Sequence, residues 1–267
     1  MGLIQETTLP AVPAIRPFEM RKRRERKYLI GPVEFRILSQ ALAGFTEPDP
    51  HAGPDGTYRV TSLYYDNPEH EAYWARVDGQ RARRKLRLRG YASRPGEPFE
   101  RVLVEIKRRE GPFVTKDRLR LPLASAEALC RGEGIPEGLE AGDAGTAERV
   151  LALVRAWNLR PVCRVSYRRR AFGVAHHASG MRVTFDTDVR GRVTALGLEE
   201  RGTDRRILPP ETVLMEVKTR AGTPDWWEAL LRQVGARARP FSKYNAALRE
   251  GLARMRNHYD AREDLHG

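Results

Sequence analysis

Three short motifs in this sequence place an acidic and a basic side chain two residues apart. They are Glu25-Arg26-Lys27, Glu105-Ile106-Lys107 and Glu216-Val217-Lys218. On a β-strand, residues two positions apart point to the same face, so each motif sets a carboxylate beside an ammonium group. Carboxylates beside phosphate-binding cations hold Mg²⁺ or Mn²⁺, which take oxygen ligands and bridge phosphate oxygens. The same spacing also suits a ladder of cross-strand ion pairs, so the motifs alone leave both interpretations open.

Cationic side chains recur at alternate positions in the runs around these motifs. The cations that share a strand face are Arg83, Lys85, Arg87 and Arg89 in one run, and Lys116, Arg118 and Arg120 in another. Leucine residues occupy the positions between many of them. A sheet with one face in water shows such alternation, but like charges opposite one another destabilise a sheet. Repetition over several strands therefore favours a surface that an anionic ligand neutralises.

The composition points to the same kind of ligand. The 48 Lys and Arg residues exceed the 35 Asp and Glu residues, which gives a net charge of +13 and attracts polyanions. Arginine is the usual cation, so each lysine marks a place that keeps a compact ammonium group, unless codon usage alone explains the bias. The lysines are Lys22, Lys27, Lys85, Lys107, Lys116, Lys218 and Lys243.

Cys130 and Cys163 are isolated and have neither disulfide-framework nor zinc-site spacing, so we expect a reducing cytoplasmic location. The N-terminal residues show no apolar signal-peptide core, and no run reaches the roughly 20 apolar residues of a membrane-spanning helix.

A period of two dominates the sequence between its Pro- and Gly-rich loops. It predicts strands at about 19–30, 57–66, 82–92, 100–109, 113–121, 162–172, 181–189 and 211–220. Helices are expected at Pro32–Ala43, Pro68–Val77, Ala144–Asn158, Pro224–Val234 and Tyr244–Arg256. The predicted fold is α+β: an eight-stranded antiparallel closed β-barrel with the charges inside and the helices packed outside. We expect one domain over residues 18–257, with a flexible leader over 1–17 and a tail over 258–267.

An ordered set of sequence runs resembles a known family. The runs are Glu25–Tyr28, Tyr58–Asp66, Lys85–Tyr91, Val104–Lys107, Tyr167–Phe172, Arg182–Asp186, Met215–Lys218 and Phe241–Tyr244. Together they resemble the vacuolar transporter chaperone (VTC) domain of the CYTH-like triphosphate tunnel metalloenzyme superfamily. The likeness covers about residues 19–250.

The resemblance implies a tunnel that binds triphosphate through opposing basic side chains. Carried over position by position, it implies phosphate ligands at Lys27, Arg87, Arg89, Lys107, Lys116, Arg169, Arg182 and Lys243, with Tyr167 nearby and Glu216 as metal ligand. The strand faces add Lys85, Arg118 and Lys218 as substrate-binding residues, and Glu25 and Glu105 as further metal ligands. The implied cofactor is Mn²⁺ or Mg²⁺.

For function, the resemblance implies a phosphotransferase that moves the γ-phosphoryl group of ATP onto a polyphosphate chain. A metal-dependent inorganic triphosphatase is the first alternative, but such hydrolases generally carry an ExExK strand, and Arg23 stands at its earlier glutamate position. A non-catalytic polyphosphate-binding module is the second alternative.

The expected partners are ATP and inorganic polyphosphate or triphosphate. A separate membrane protein that anchors this chain is left open. Specific nucleic-acid binding is not expected, because the basic faces lack interleaved aromatic side chains for base stacking.

Overall fold

Short runs of alternating apolar and charged residues form the strands of one sheet. The computed structural model describes residues 24–44, 49, 52–94, 96–111, 113–173, 180–199, 202–220 and 222–263. The strands are β1 (Arg24–Ile30), β2 (Tyr58–Asp66), β3 (Ala82–Ala92), β4 (Arg101–Glu110), β5 (Phe113–Pro122), β6 (Arg160–Gly173), β7 (Arg182–Arg192), β8 (Arg205–Arg206) and β9 (Val213–Thr219). The sequence pattern predicts all of them except β8, because two residues show no period. The leader at 1–17 and the start of the first predicted strand, including Arg23, lie outside the described residues.

The strands form antiparallel ladders in the order β1-β9-β7-β6-β2-β3-β4-β5, with β8 added to β7. The sheet curls into a half-barrel, so that its two ends approach each other. Glu25 of β1 interacts electrostatically with Lys107 of β4, and Lys218 of β9 interacts with Lys116 of β5. The predicted α+β class and antiparallel sheet are confirmed. The ladders of the described strands end at β1 and β5, so closure of the barrel stays a prediction.

Six helices connect or cover the strands of the described chain. They are α1 (Pro32–Ala43), α2 (Glu71–Val77), α3 (Leu123–Arg131), α4 (Ala144–Ala156), α5 (Asp225–Gln233) and α6 (Lys243–Glu263). The alternation does not predict α3, which follows β5 directly after Pro122 without a loop. Helix α6 begins one residue before its predicted start and continues into the segment predicted as a tail.

Two apolar layers cover the convex face of the sheet. Leu38 and Leu42 of α1 and Trp227 of α5 pack against the outer residues of β1, β7 and β9. Leu129 of α3 and Val150 of α4 pack against β2 to β5. The strand residues in these layers alternate with the charged ones, so burial of one face turns the charged positions toward the concave face.

Helix α6 is the exception to the prediction that the helices pack outside the barrel. Its residues Tyr244, Ala247 and Leu248 pack on the concave side of β2 and β6, where those strands carry apolar instead of charged residues. Gly191 of β7 permits this approach, because a Cβ atom there would lie 2.8 Å from the Cβ of Ala247. The first turn of α6 therefore lies at the cavity described next.

Candidate functional site

The concave face of the half-barrel and the first turn of α6 enclose a cavity with a mainly charged lining. All of the predicted site residues except Glu105, Arg118 and Arg182 line it. Three residues that the sequence did not single out, Tyr64, Ser242 and Tyr244, line it as well. The lining side chains come from seven strands and from the start of α6.

A row of three lysines crosses one wall of the cavity. Lys85 of β3 pairs in register with Lys107 of β4, which pairs in turn with Lys116 of β5. The Lys85 ammonium donates to Asn245 Oδ1 at 2.8 Å and lies 4.2 Å above the ring of Tyr244. Among the described residues, no carboxylate forms an ion pair with any of these three lysines. Three like charges therefore stand side by side with carboxylates acting on them only from beyond ion-pair distance, which disfavours their protonated forms.

The pKa of each lysine in this row is lowered. Burial is the largest cause for all three. It outweighs Asp66, which raises the pKa of Lys85, and Glu25, which raises that of Lys107, while Arg87 lowers that of Lys116 further. The pKa falls to about 7 for Lys85, about 8 for Lys107 and about 6 for Lys116. Solvent reaches Lys116 more freely than the other two, so screening weakens its shift most. An anion in the cavity would restore the full charge of this row.

The next row along the same strands contains a buried glutamate between two arginines. Glu105 accepts from Arg87 Nε at 2.6 Å and from Arg118 Nε at 2.9 Å, and Arg89 lies 3.7 Å away. Burial raises the pKa of Glu105, but Arg87 and Arg89 outweigh it and hold the pKa well below its usual range. The structure thus places Glu105, a predicted metal ligand, behind the cavity wall, where its contacts are with arginines that it orients.

The opposite wall contains cations that are fully paired. Lys243, the first residue of α6, lies 2.5 Å from Asp186 Oδ2 and donates to Glu216 Oε1 at 3.2 Å. Arg169 makes a bidentate pair with Asp186 at 2.6 and 2.8 Å. Burial lowers the pKa of Lys243, but Asp186 and Glu216 outweigh it and raise the pKa above its ordinary value. Because two carboxylates hold Lys243 within the protein, it is a fixed part of this wall.

Glu25 and Glu216 lie close together between lysines. They are diagonal neighbours on β1 and β9, where Lys27 pairs with Glu216 and Glu25 pairs with Lys218. Lys27 Nζ lies 3.4 Å from Glu25 and 3.5 Å from Glu216, and Lys218 donates to Glu216 at 3.1 Å. Burial and Glu216 raise the pKa of Glu25, but the surrounding lysines outweigh them and lower it to about 2. Both groups are therefore anionic at neutral pH.

The start of α6 ties the cavity to α2 through residues that strand parity could not identify. The Tyr244 hydroxyl donates to Asp66, whose carboxylate also accepts backbone N–H groups of the first turn of α2. Asn245 accepts from Lys85 and donates to the carbonyl of Tyr73 at 3.1 Å. These contacts fix the rotamer of Lys85 and depend entirely on distant parts of the chain.

Arg169 reaches the cavity because the Tyr167-Arg170 run uses both faces of β6. Tyr167 and Arg169 point inward, whereas Arg168 is exposed and pairs with Asp55. The β6–β7 register shifts between Ser166 and Arg168, next to the three consecutive arginines. Of the remaining predictions, Arg182 pairs with Asp49 at 2.8 Å and does not line the cavity.

The acidic pair fits a divalent metal whose remaining ligands come from phosphate and water. Within the described residues, no group of three or more His, Cys, Asp or Glu side chains has the arrangement of a complete metal site. Mg²⁺ is usually held by one or two carboxylates together with substrate phosphates, and Glu25 and Glu216 provide that number in a cation-rich cavity. The two carboxylates thus suit a divalent metal that would take its other ligands from a bound anion and water.

The chain is similar to one known protein family and to solved structures of other proteins. The model of the VTC domain family matches residues 22–250, and the chain belongs to this family. No curated protein sequence matches the chain. A candidate adenylate cyclase from Bacillus halodurans is 14% identical over 83% of this chain and 95% of its own, with a TM-score of 0.48. A candidate adenylyl cyclase from Hippeastrum, described as having a dominant triphosphatase activity, is 15% identical over 85% of this chain and 94% of its own, with a TM-score of 0.47.

In the part of the chain that the structure describes, no helix is long and apolar enough to span a membrane.

Proposed function

We propose that this protein binds phosphate chains in its cavity and transfers the γ-phosphoryl group of ATP onto a polyphosphate chain. The observation that carries this proposal is the row of Lys85, Lys107 and Lys116, which pair in register and form no ion pair with a carboxylate of the described residues. Such a row costs free energy until an anion neutralises it, and a linear polyanion can contact all three groups at once. Membership of the VTC family supports a phosphate chain as that anion.

The cavity residues take complementary parts in this reaction. Phosphoryl transfer needs alignment of donor and acceptor and neutralisation of charge on the transferring group, with little covalent chemistry from the protein. The lysine row neutralises the chain, and Arg87 and Arg89 offer planar forks that bind phosphate oxygens in pairs. The residues that bind from the opposite wall are Lys27, Arg169, Lys218 and Lys243, with Tyr167 between the walls.

A divalent metal completes the proposed site. Glu216 and Glu25 would hold Mn²⁺ or Mg²⁺, and the bound ion would neutralise charge on the phosphate oxygens that it bridges. The lysines around Glu216 keep this carboxylate anionic, as metal binding requires. Closure of the half-barrel into a tunnel is part of the proposal, supported by the electrostatic contacts between Glu25 and Lys107 and between Lys218 and Lys116.

The buried free thiols of Cys130 and Cys163 are consistent with the cytoplasm as the site of this activity. A separate membrane protein as partner stays a prediction.

Incubation of the purified protein with ATP and Mn²⁺ tests the reaction. Formation of ADP together with chains visible on a gel is the expected result. Free phosphate without chains would assign the protein as a triphosphatase instead, and binding of polyphosphate without either product would leave a non-catalytic binding module.

Two variants test whether the cavity is the site. Lys107→Ala or Arg89→Ala should weaken tripolyphosphate binding about tenfold or more, since each removes a charged hydrogen-bond donor. Arg168→Ala is the matched control, because Arg168 is exposed and pairs with Asp55 away from the cavity. Unchanged affinity in both cavity variants would remove the assignment of the site.

A further inference from the structure

A second row of cations continues the lysine row toward one end of the sheet. Arg83 of β3 pairs in register with Arg109 of β4, two residues beyond Lys85 and Lys107. Strand geometry places this row on the same face, about 7 Å further along. The adjacent Glu110 points to the opposite face by alternation. Arg83 and Arg109 therefore lie side by side on the face of the sheet that lines the cavity, just beyond the residues of its lining.

Arg76 of α2 lies between the two rows. It interacts electrostatically with both Lys85 and Arg83. Burial, followed by the charges of Arg109 and Arg76, lowers the pKa of Arg83. Arg109 donates to the carbonyl of Gly111 at 2.9 Å, and within the described chain none of the three arginines forms an ion pair with a carboxylate. Like charges here repel one another as they do in the lysine row.

The opposite end of the same strands does not continue the row in this way. There Arg89 of β3 pairs with Leu103 of β4, and Leu103 pairs with Arg120 of β5, so an apolar residue interrupts the cations. Arg101, further along β4, donates to the carbonyl of Arg120 at 3.1 Å. Arg83 and Arg109 are therefore direct neighbours, with Val114 of β5 beside Arg109, whereas Leu103 separates the two arginines at the opposite end.

We propose that Arg76, Arg83 and Arg109 form an exit track that binds the part of a long polyphosphate chain extending beyond the cavity. This inference rests on the proposed function and adds a direction to it: the chain leaves the cavity at the beginning of β3 and the end of β4. A triphosphate reaches only the lysine and Arg87 rows, so the track distinguishes a polymer from a short substrate.

The aromatic side chains of the cavity favour a phosphate chain over a nucleic acid on this track. Base recognition on single strands requires free aromatic faces. Here Lys85 lies 4.2 Å over the ring of Tyr244, Lys243 lies 4.5 Å over that of Tyr167, and Arg87 lies 5.9 Å from that of Tyr64. Each of these three rings already has a cation near its face, so the aromatic side chains of the cavity lining are not free for base stacking.

The test compares tripolyphosphate with long-chain polyphosphate in direct binding measurements. The double variant Arg83→Ala/Arg109→Ala should lose about tenfold in affinity for the long chain and stay within about twofold for tripolyphosphate. Arg101→Ala/Arg120→Ala also removes two positive charges, but from the opposite end, and should leave both affinities within about twofold of the wild-type values. Arg83→Lys/Arg109→Lys should retain most long-chain binding, and thermal unfolding checks that every variant is folded.

The possible outcomes separate this inference from the function on which it rests. Failure of the wild type to bind tripolyphosphate would overturn the proposed function. Normal tripolyphosphate binding, together with equal long-chain losses in the two alanine variants or no loss in either, would overturn the track alone. If Arg83→Ala/Arg109→Ala abolished binding of single-stranded RNA but not of long polyphosphate, the track would belong to nucleic acid and the inference would be wrong.

Discussion

The two walls of the cavity differ in whether carboxylates form ion pairs with their cations. The lysine wall, formed by Lys85, Lys107 and Lys116, makes no ion pair with a carboxylate of the described chain, and burial lowers the pKa values of its lysines. The paired wall, formed by Lys243 and Arg169 with Asp186 and Glu216, contains buried charges that neutralise one another. A charge that its own protein compensates contributes to the framework, whereas an uncompensated charge is compensated only by a ligand. The lysine wall is therefore where we expect ligand binding to depend most directly on each side chain.

The largest effect is expected from breaking the paired wall at its centre. Asp186→Ala should destabilise the protein by about 3–5 kcal/mol, because it leaves Arg169 and Lys243 buried without their main partner. Chemical denaturation measures this loss. Asp188→Asn is the control, since Asn tolerates the positive φ of this position and the partners Arg190 and Arg206 are more exposed, and it should cost no more than about 1 kcal/mol. Similar losses in the two variants would contradict the distinction between framework and surface pairs.

On the lysine wall, removal of one charged side chain should weaken ligand binding without lowering the stability of the free protein. Lys107→Met should reduce tripolyphosphate affinity by about 10- to 100-fold, as expected for loss of a charged hydrogen bond. The unliganded protein should keep or raise its thermal midpoint, because one member of a repelling row is gone. Lys243→Met, in contrast, should lower the midpoint. A destabilised Lys107→Met protein would show that the row is compensated in the free state.

A smaller effect is expected for Glu25 and Glu216, which should differ in how much each contributes to stability. Glu25→Gln should raise the Mn²⁺ concentration needed for half-maximal activity by at least about tenfold, an effect typical of altered metal sites. It should cost less stability than Glu216→Gln, because Glu25 forms one ion pair among the described residues, with Lys27, whereas Glu216 forms three, with Lys27, Lys218 and Lys243. Activity titrations and thermal unfolding of both variants measure the difference. A metal requirement that neither variant changes would exclude this pair as the metal site.

The smallest effect concerns the pH dependence of the lysine wall. Folding lowers the pKa of Lys85 from 10.5 to about 7, so between these values the unfolded chain binds more protons than the folded one. The contribution of Lys85 to the free energy of unfolding must then rise with pH from about 7 toward 10.5. Its destabilising effect is fully present below pH 7. Relative to Lys85→Met, the wild type should therefore gain thermal stability as pH increases from 7 to 9. A constant difference across this range would show that Lys85 stays charged in the free protein.

Strand alternation was enough to predict most of the sheet and its charged face. A residue's side of a strand follows from its parity, so Lys85, Lys107 and Lys116 could be placed on a common face without any tertiary information. Helix α1 was predicted with its observed bounds, because Pro32 and Gly44 mark its two ends. Helix α3 was missed because it directly follows a strand, and Tyr64 and Tyr244 were missed because an apolar alternation does not distinguish a core tyrosine from one beside a ligand.

The sequence by itself determined that this chain has an antiparallel sheet with a cationic face suited to a polyanion, since local periodicity decides which side chains share a face. Only the tertiary structure decided which of those cations are free. Asp186, Glu216 and Lys243 meet through contacts between β7, β9 and α6, and Glu105 lies between Arg87 and Arg118 through the register of three strands. Compensation of charge depends on distances of a few ångströms between residues far apart in the chain. A basic composition alone therefore does not define a binding site, because the distances between the charged groups decide which cations can bind a ligand.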